Sequence, residues 1–485
     1  MTTTRPLSDD PTWWTAAQTA AAVAEGQVSS REVLEHLLGR IEAMDGPINA
    51  VVALDAERAR KAASAADDAV ARGDELGPLH GVPVSIKDSF QTEGMVTTSG
   101  APELADFVPT ADADPVARYK AAGAIVFAKT NLPIWAGDCQ SYNEVYGTTS
   151  NPWDVERTPG GSSGGSGAAL AAGFTSLELG SDIGGSIRIP AHWSGVAGHK
   201  PSYGIVSARG QIPGMPGTLS QADIAVAGPM ARSVDDLETA LGLLAGPDGW
   251  HDKAWSLDLP PARTTQAAQL RVALWIDEPS CPIDHEYRSL LEGVAASLSE
   301  AGAMVDATAR PGFGFDKAVD TFLRLLSAAE AATWTLSELE EIAAGPEPEG
   351  DLGIWHAAMR HREWLSANER RLQMRARWRE FFDDWDVVLL PVTPTPPIRH
   401  DHSRPMTART IDVNGQPRPY FDTIKWMGLT GVSFLPATVV PIGPTEAGLP
   451  VGVQIAGPFL EDRTTLQVAR LVEEMVGGFT PPPGF

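Results

Sequence analysis

Short apolar runs alternate with longer stretches whose apolar residues recur every three or four positions, and the alternation continues along most of the chain. "GVPVSIKD" reads as a strand, "DPVARYKAAG" as a helix and "AIVFAKT" as another strand. "GGSGAALAAG" starts a helix, "TSLELGSD" is strand-like, and "SVDDLETALGLLAG" is a capped helix. "LRVALW", "HEYRSLLEGVAASLSEAG" and "AMVDA" repeat the order, and "WDVVLLPV", "LPATVVPIG" and "LPVGVQIAG" precede a last helix, "DRTTLQVARLVEEM". Such a pattern predicts an α/β fold: a large, mostly mixed β-sheet core covered by helices on both faces. Residues 1–75 read as an N-terminal helical region. In it Ser29 or Ser30 caps "REVLEHLLGRIEAM", and Gly73 closes a second, alanine-rich helix. We expect one domain over 1–485, with a substrate-pocket insertion at 310–430. Near that stretch, "AAGPEPEGDLG" at 343–353 reads as a flexible loop and "PVTPTPPIRHDHSRP" as a long surface loop.

Composition narrows the function. A net charge of −25 opposes general binding to phosphate backbones, so no nucleic-acid partner is expected. No apolar run approaches the 18 residues of a spanning helix, and "MTTTRPLSDDPTWW" lacks the form of a secretory signal; a cytoplasmic location is expected. Two cysteines, Cys139 and Cys281, cannot build a disulfide framework or a four-cysteine zinc site, and they read as buried thiols. No metal or cofactor is expected.

The stretch "GGSSGGSG" at 160–167 puts five glycines in eight positions. A phosphate-binding loop needs a lysine after its last glycine, and none follows. A dinucleotide fingerprint needs a strand in front, where "DVERTP" stands. Gly161–Gly165 fits G-x-S-x-G around Ser163, but that elbow also requires an acid and a histidine in a set arrangement. A flexible linker conflicts with the strong patterning on both sides.

A second cluster, "GSDIGGSIRIPA" at 180–191, is more informative. A turn at Gly184–Gly185 can point several N–H groups at one spot, with Ser186 directly after them. One turn could thus supply a nucleophile and an oxyanion hole.

With these clusters the chain resembles the amidase signature enzymes. The likeness runs through "GPLHGVPVSIKDSF", "AAGAIVFAKTNLP", "NPWDVERTPGGSSGGSGAALAAG", "SDIGGSIRIPAHWSGVAGHKPSYG" and "GLPVGVQIAG". It implies a Ser–cisSer–Lys triad with Lys87 as base, Ser162 as bridge after a cis Gly161–Ser162 bond, and Ser186 as nucleophile. It also implies an oxyanion hole from the backbone N–H groups of Ile183, Gly184, Gly185 and Ser186. Asp182 and Arg188 would brace that loop, and Ser163 would orient the hole or the lysine by hydrogen bonding, or cap a helix. An enclosed site disfavours an ammonium, which lets a lysine serve as a base. Neutral Lys87 would take a proton through Ser162 as Ser186 attacks a carbonyl, and the relay would run in reverse for water. His192 and His199 have no task in this relay and read as structural.

Some positions depart from the family pattern. Ile134 stands where many members carry an acid after "KTN-x-x", Ile183 where amidotransferase subunits have Thr, and "GTLSQADIAVAGPM" lacks the usual serine–leucine–aspartate element. These changes weigh against transamidation of transfer RNA. Ile134, Trp135, Ile183 and "WHAAMRHREWLSANERRLQMRARW" are expected to supply apolar lining. The expected substrate is a small hydrophobic or aromatic amide or anilide. Esters, carbamates and nylon-oligomer amides remain open, as does an amidotransferase subunit. A monomer or homodimer is expected.

Overall fold

The computed structural model describes residues 10–345 and 354–485. Eleven strands form one mixed sheet. Across it run Val51–Leu54, Ile125–Thr130, Pro83–Lys87, Leu177–Asp182, Val226–Ala231, Ala197–Lys200, Ala437–Pro444, Pro450–Ala456, Val387–Leu390, Arg271–Leu274 and Met304–Asp306. Pro83–Lys87 is parallel to both its neighbours, whereas the pairs from Leu177–Asp182 across to Val387–Leu390 are antiparallel.

Both faces of this sheet are covered. In the strand Ile125–Thr130, Ile125 and Phe127 enter one apolar cluster with Val33, Leu34, Leu37 and Ala63 from the N-terminal helices. Val126, between them, points the other way into the main core with Val84, Ile86 and Leu179. That is the period of two expected of a strand buried on both faces. The helix Ser30–Met44 is capped by Ser29, which accepts from the Glu32 N–H while the Glu32 carboxylate accepts from the Ser29 N–H. Gly73 ends the helix Ala56–Arg72 in the left-handed conformation.

Two expectations about loops change. Residues 343 and 344 belong to the helix Leu336–Ala344, and 346–353 lie outside the described residues. The segment 391–405 is not a surface loop throughout: Pro391–Thr395 are buried. Several of its backbone groups find internal partners, which offsets their burial. The Thr395 carbonyl accepts from the Trp193 indole, and the Val392 N–H donates to the Tyr287 hydroxyl.

The glycines at 164 and 165 open the helix Gly164–Ala171, every residue of which is buried. Its N-terminus lies against neighbouring chain: a Cβ on Gly165 would sit 2.6 Å from the Asn131 carbonyl oxygen and 2.9 Å from that of Ala50. This close approach, rather than flexibility, explains the glycine run. In an open helix Gly→Ala would gain about 1 kcal/mol in propensity. Here the methyl meets backbone on two sides, so Gly165→Ala is expected to lower stability by about 3 kcal/mol or more in urea unfolding. A stabilised variant would contradict this packing.

Candidate active site

The parallel strands Pro83–Lys87 and Leu177–Asp182 end on the same side of the sheet, in register at Ser85–Glu178 and Ile86–Leu179. Lys87 is the last residue of the first strand. Ser186 sits in the turn after the second, just before the helix Arg188–Ser194. Ser162 lies in the loop leading to the helix Gly164–Ala171, and the Gly161–Ser162 peptide bond is cis. Crevices at the carboxyl ends of parallel strands are the common place for α/β active sites.

Lys87 is fully buried, and its Nζ donates to Ser162 Oγ at 2.6 Å and to Ser181 Oγ at 3.0 Å. Burial pulls its pKa down to about 7, although the carboxylates of Asp182 and Glu178 act in the opposite direction. A substantial neutral fraction therefore exists near neutral pH. Ser186 retains 9% exposure while Ser162 retains 1%, so of the two serines Ser186 is the one closer to solvent. No side-chain hydrogen bond joins Ser162 to Ser186 among the described residues. Their segments are linked through the backbone, the Ser163 N–H donating to the Ser186 carbonyl at 3.1 Å.

The turn itself is held by a clamp. The Asp182 carboxylate accepts from the N–H groups of Gly185 (2.9 Å) and Ile187 (3.2 Å) and pairs with the Arg188 guanidinium at 2.8 Å. Arg188 also donates to Thr430 Oγ1 and Gln454 Oε1, which ties the turn to the C-terminal part of the chain. Gly185 therefore has to be removed from the expected oxyanion set, because its N–H is already spent on Asp182. The N–H groups of Ile183, Gly184 and Ser186 donate to no acceptor among the described residues. Ser163 does not cap its helix through the side chain. Its hydroxyl instead lies 3.4 Å from both the N–H and the carbonyl oxygen of Ser181.

His192 is buried between the Thr395 carbonyl and the Gly452 N–H, and burial lowers its pKa to about 4. His199 contacts Thr438 and Asp462. Burial pushes the Cys139 thiol well up, which disfavours a thiolate.

Ile134 and Trp135 lie half-buried in a single 3-10 turn, with Trp135 at φ 52° and its N–H donating to the Ser99 carbonyl. The segment that follows backs the loop carrying Ser162: a Cβ on Gly161 would lie 2.5 Å from the Asp138 carbonyl oxygen. Apolar neighbours of the turn come from elsewhere. A Cβ on Gly184 would lie 3.9 Å from Leu326, and one on Gly185 would strike the Met427 thioether. Sequence reading missed both, although each falls inside the expected insertion at 310–430. Trp378, expected as lining, is 1% exposed in an aromatic cluster with Phe313, Phe381 and Phe382.

A family model described as Amidase matches residues 32–466. The chain belongs to the amidase signature family. This amidase signature enzyme is 33% identical over 515 residues to a glutamyl-tRNA(Gln) amidotransferase subunit of Anaeromyxobacter dehalogenans, covering 96% of this chain and 97% of that one. It is also 33% identical over 481 residues to the indoleacetamide hydrolase of Bradyrhizobium diazoefficiens, covering 96% and 87%. A bacterial aryl acylamidase of the amidase signature family superposes with a TM-score of 0.79 at 26% identity, over 96% of each chain. Equal identity to a hydrolase and to part of a transferase leaves the family reading at amide chemistry.

The clamp gives a stability test. Asp182 is completely buried; burial alone would raise its pKa, but Arg188, Lys200 and the Ile187 N–H hold it below the usual carboxylate range. A depressed carboxylate contributes stability above its unfolded pKa and loses it as pH falls through the folded value. Asp182→Asn leaves Arg188 buried without its counter-charge. The expected loss is about 3–5 kcal/mol at pH 7, shrinking below about pH 4 in urea titrations.

Proposed function

We propose that this amidase signature enzyme hydrolyses a small hydrophobic or aromatic amide or anilide through an acyl-enzyme on Ser186. The products are a carboxylate and an amine or ammonia. The observation that carries the reading is the 2.6 Å contact between a fully buried Lys87 amine and the Ser162 hydroxyl, beside the more open Ser186. With Lys87 neutral, its lone pair takes the Ser162 proton while Ser162 takes that of Ser186. The Ser186 oxygen then bonds to the substrate carbonyl carbon. The N–H groups of Ile183, Gly184 and Ser186 receive the negative charge that develops on the carbonyl oxygen, each such donor being worth about 2.7–4 kcal/mol. The proton returns through Ser162 to the departing nitrogen, and the C–N bond breaks. Water deacylates Ser186 by the same relay.

Leu326 and Met427 beside the turn support an apolar substrate group. So do the names of an indoleacetamide hydrolase and an aryl acylamidase among the similar proteins. Esters and carbamates present the same carbonyl and are the nearest alternatives. The likeness to amidotransferase subunits favours a second reading, one component of a complex that draws ammonia from glutamine. It predicts glutaminase activity and a co-purifying partner.

Aryl and aliphatic amides, esters, carbamates and glutamine compared by kcat/KM separate these readings; the highest value is expected for a hydrophobic amide or anilide. Ser186→Ala and Lys87→Met should each lose about 10⁴-fold or more in kcat/KM while remaining folded. In the unaltered enzyme kcat/KM should rise with pH through about 7, as the Lys87 ammonium loses its proton. Retained hydrolysis in Ser186→Ala would remove the assigned nucleophile.

A further inference from the structure

A second buried ionisable group lies beside the lysine strand and has no task in the relay above. Glu178 is fully buried within the strand Leu177–Asp182, and its strand pairs with that of Lys87. Its register partner across the pair is Ser85, two residues before Lys87, so Ser85 and Lys87 share a face of their strand. Glu178 Oε2 accepts from the Leu179 N–H, whereas Oε1 is buried with no aligned hydrogen-bond partner. A carboxyl group in such a place is disfavoured unless something repays its burial.

Groups whose hydroxyls or charges act on it come from four elements. The strand Pro83–Lys87 brings Lys87 and the Ser85 hydroxyl. The strand Ile125–Thr130 brings Thr130, in register with Lys87, whereas Lys129, in register with Ile86, lies on the other face of the sheet and acts on Glu178 through its charge alone. The helix Gly164–Ala171 brings Ser166, whose hydroxyl is 3.0 Å from that of Thr130. The helix Asp114–Ala121 brings the Tyr119 hydroxyl. Lys129 is occupied by the Phe90 carbonyl and the hydroxyls of Thr92 and Thr97, with Asp88 3.9 Å away. Among the described residues Lys87 donates to the two serine hydroxyls alone, and Asp182 is committed to Arg188.

We infer that Glu178 is a positioning residue for the reaction: the buried counter-charge to the Lys87 ammonium that forms when Ser186 attacks. This rests on the relay of the preceding section. As the proton of Ser186 passes to Ser162 and that of Ser162 to Lys87, a positive charge appears in a site closed to water. An ionised Glu178 carboxylate compensates it through space, touching neither substrate nor nucleophile. Burial raises Glu178 to about 7 against the hydroxyls around it, so the carboxylate is available over the same pH range in which Lys87 loses its proton.

The sign of the effect separates this role from a structural one. An ionised Glu178 raises the proton affinity of Lys87, so removing its charge lets Lys87 deprotonate earlier. In Glu178→Gln the acid limb of kcat should move to lower pH by about one unit, and plateau kcat should fall about tenfold with KM little changed. Glu178→Asp should restore part of the plateau and place the limb between the two, and it carries the test if the Gln variant does not fold. A limb at the unaltered position in the folded variants overturns the inference, whatever the loss of rate. If that happens while Ser186→Ala and Lys87→Met are inactive, the counter-charge fails alone. If Ser186→Ala stays active, the relay fails with it.

Discussion

A lysine amine shut away from water and held 2.6 Å from a serine hydroxyl is the contact on which the rest of this structure depends. An ammonium in water is no base, and an amine in a dry strand end is one. The large sheet supplies that dryness. Lys87 emerges between two parallel neighbours, each covered by helices, and the glycine-rich loop carrying Ser162 closes over it. The size of the core is therefore part of the chemistry, because a shallower fold would leave the lysine solvated.

The second constraint is the turn at 183–186, which in the proposed mechanism presents Ser186 and free N–H groups together. The Asp182–Arg188 clamp does this by consuming the Gly185 amide and leaving those of Ile183, Gly184 and Ser186 open. Arg188 reaches Thr430 and Gln454, so the C-terminal third of the chain takes part in shaping the turn. Leu326 and Met427 arrive over the turn from the same region. The proposed catalytic groups lie within 87–186, whereas the apolar residues beside the turn, Leu326 and Met427, lie within 310–430. That division matches a family in which one chemistry serves amides as different as those named among the similar proteins.

Much of this was legible before any coordinates. Period-two and period-3.6 patterns located the strands and helices, because each element buries a face whose residues must repeat with its geometry. Lys87, Ser162 and Ser186 stood out through local motifs that carry the family resemblance, and the structure puts the Lys87 amine against the Ser162 hydroxyl. Contacts spanning long stretches of sequence were not legible. Nothing near Gly184 or Gly185 announces Leu326 or Met427, which reach them only through helix packing. The burial of Pro391–Thr395 was hidden by proline, which usually marks exposed turns but here follows a strand into the core. Glu178 was passed over because a charged residue in an alternating strand ordinarily faces water. Gly185 looked like an amide donor to substrate until the reach of the Asp182 carboxylate was visible.

The central claim is that Lys87 is an amine, not an ammonium, over the pH range in which the enzyme works. Nuclear magnetic resonance titration of lysine ε-groups in isotopically labelled protein, with the Lys87 signal assigned by its loss in a Lys87→Met sample, reads this directly. The account predicts a midpoint near 7, in keeping with the burial of Lys87. A midpoint near the ordinary lysine value of about 10.4 would contradict it.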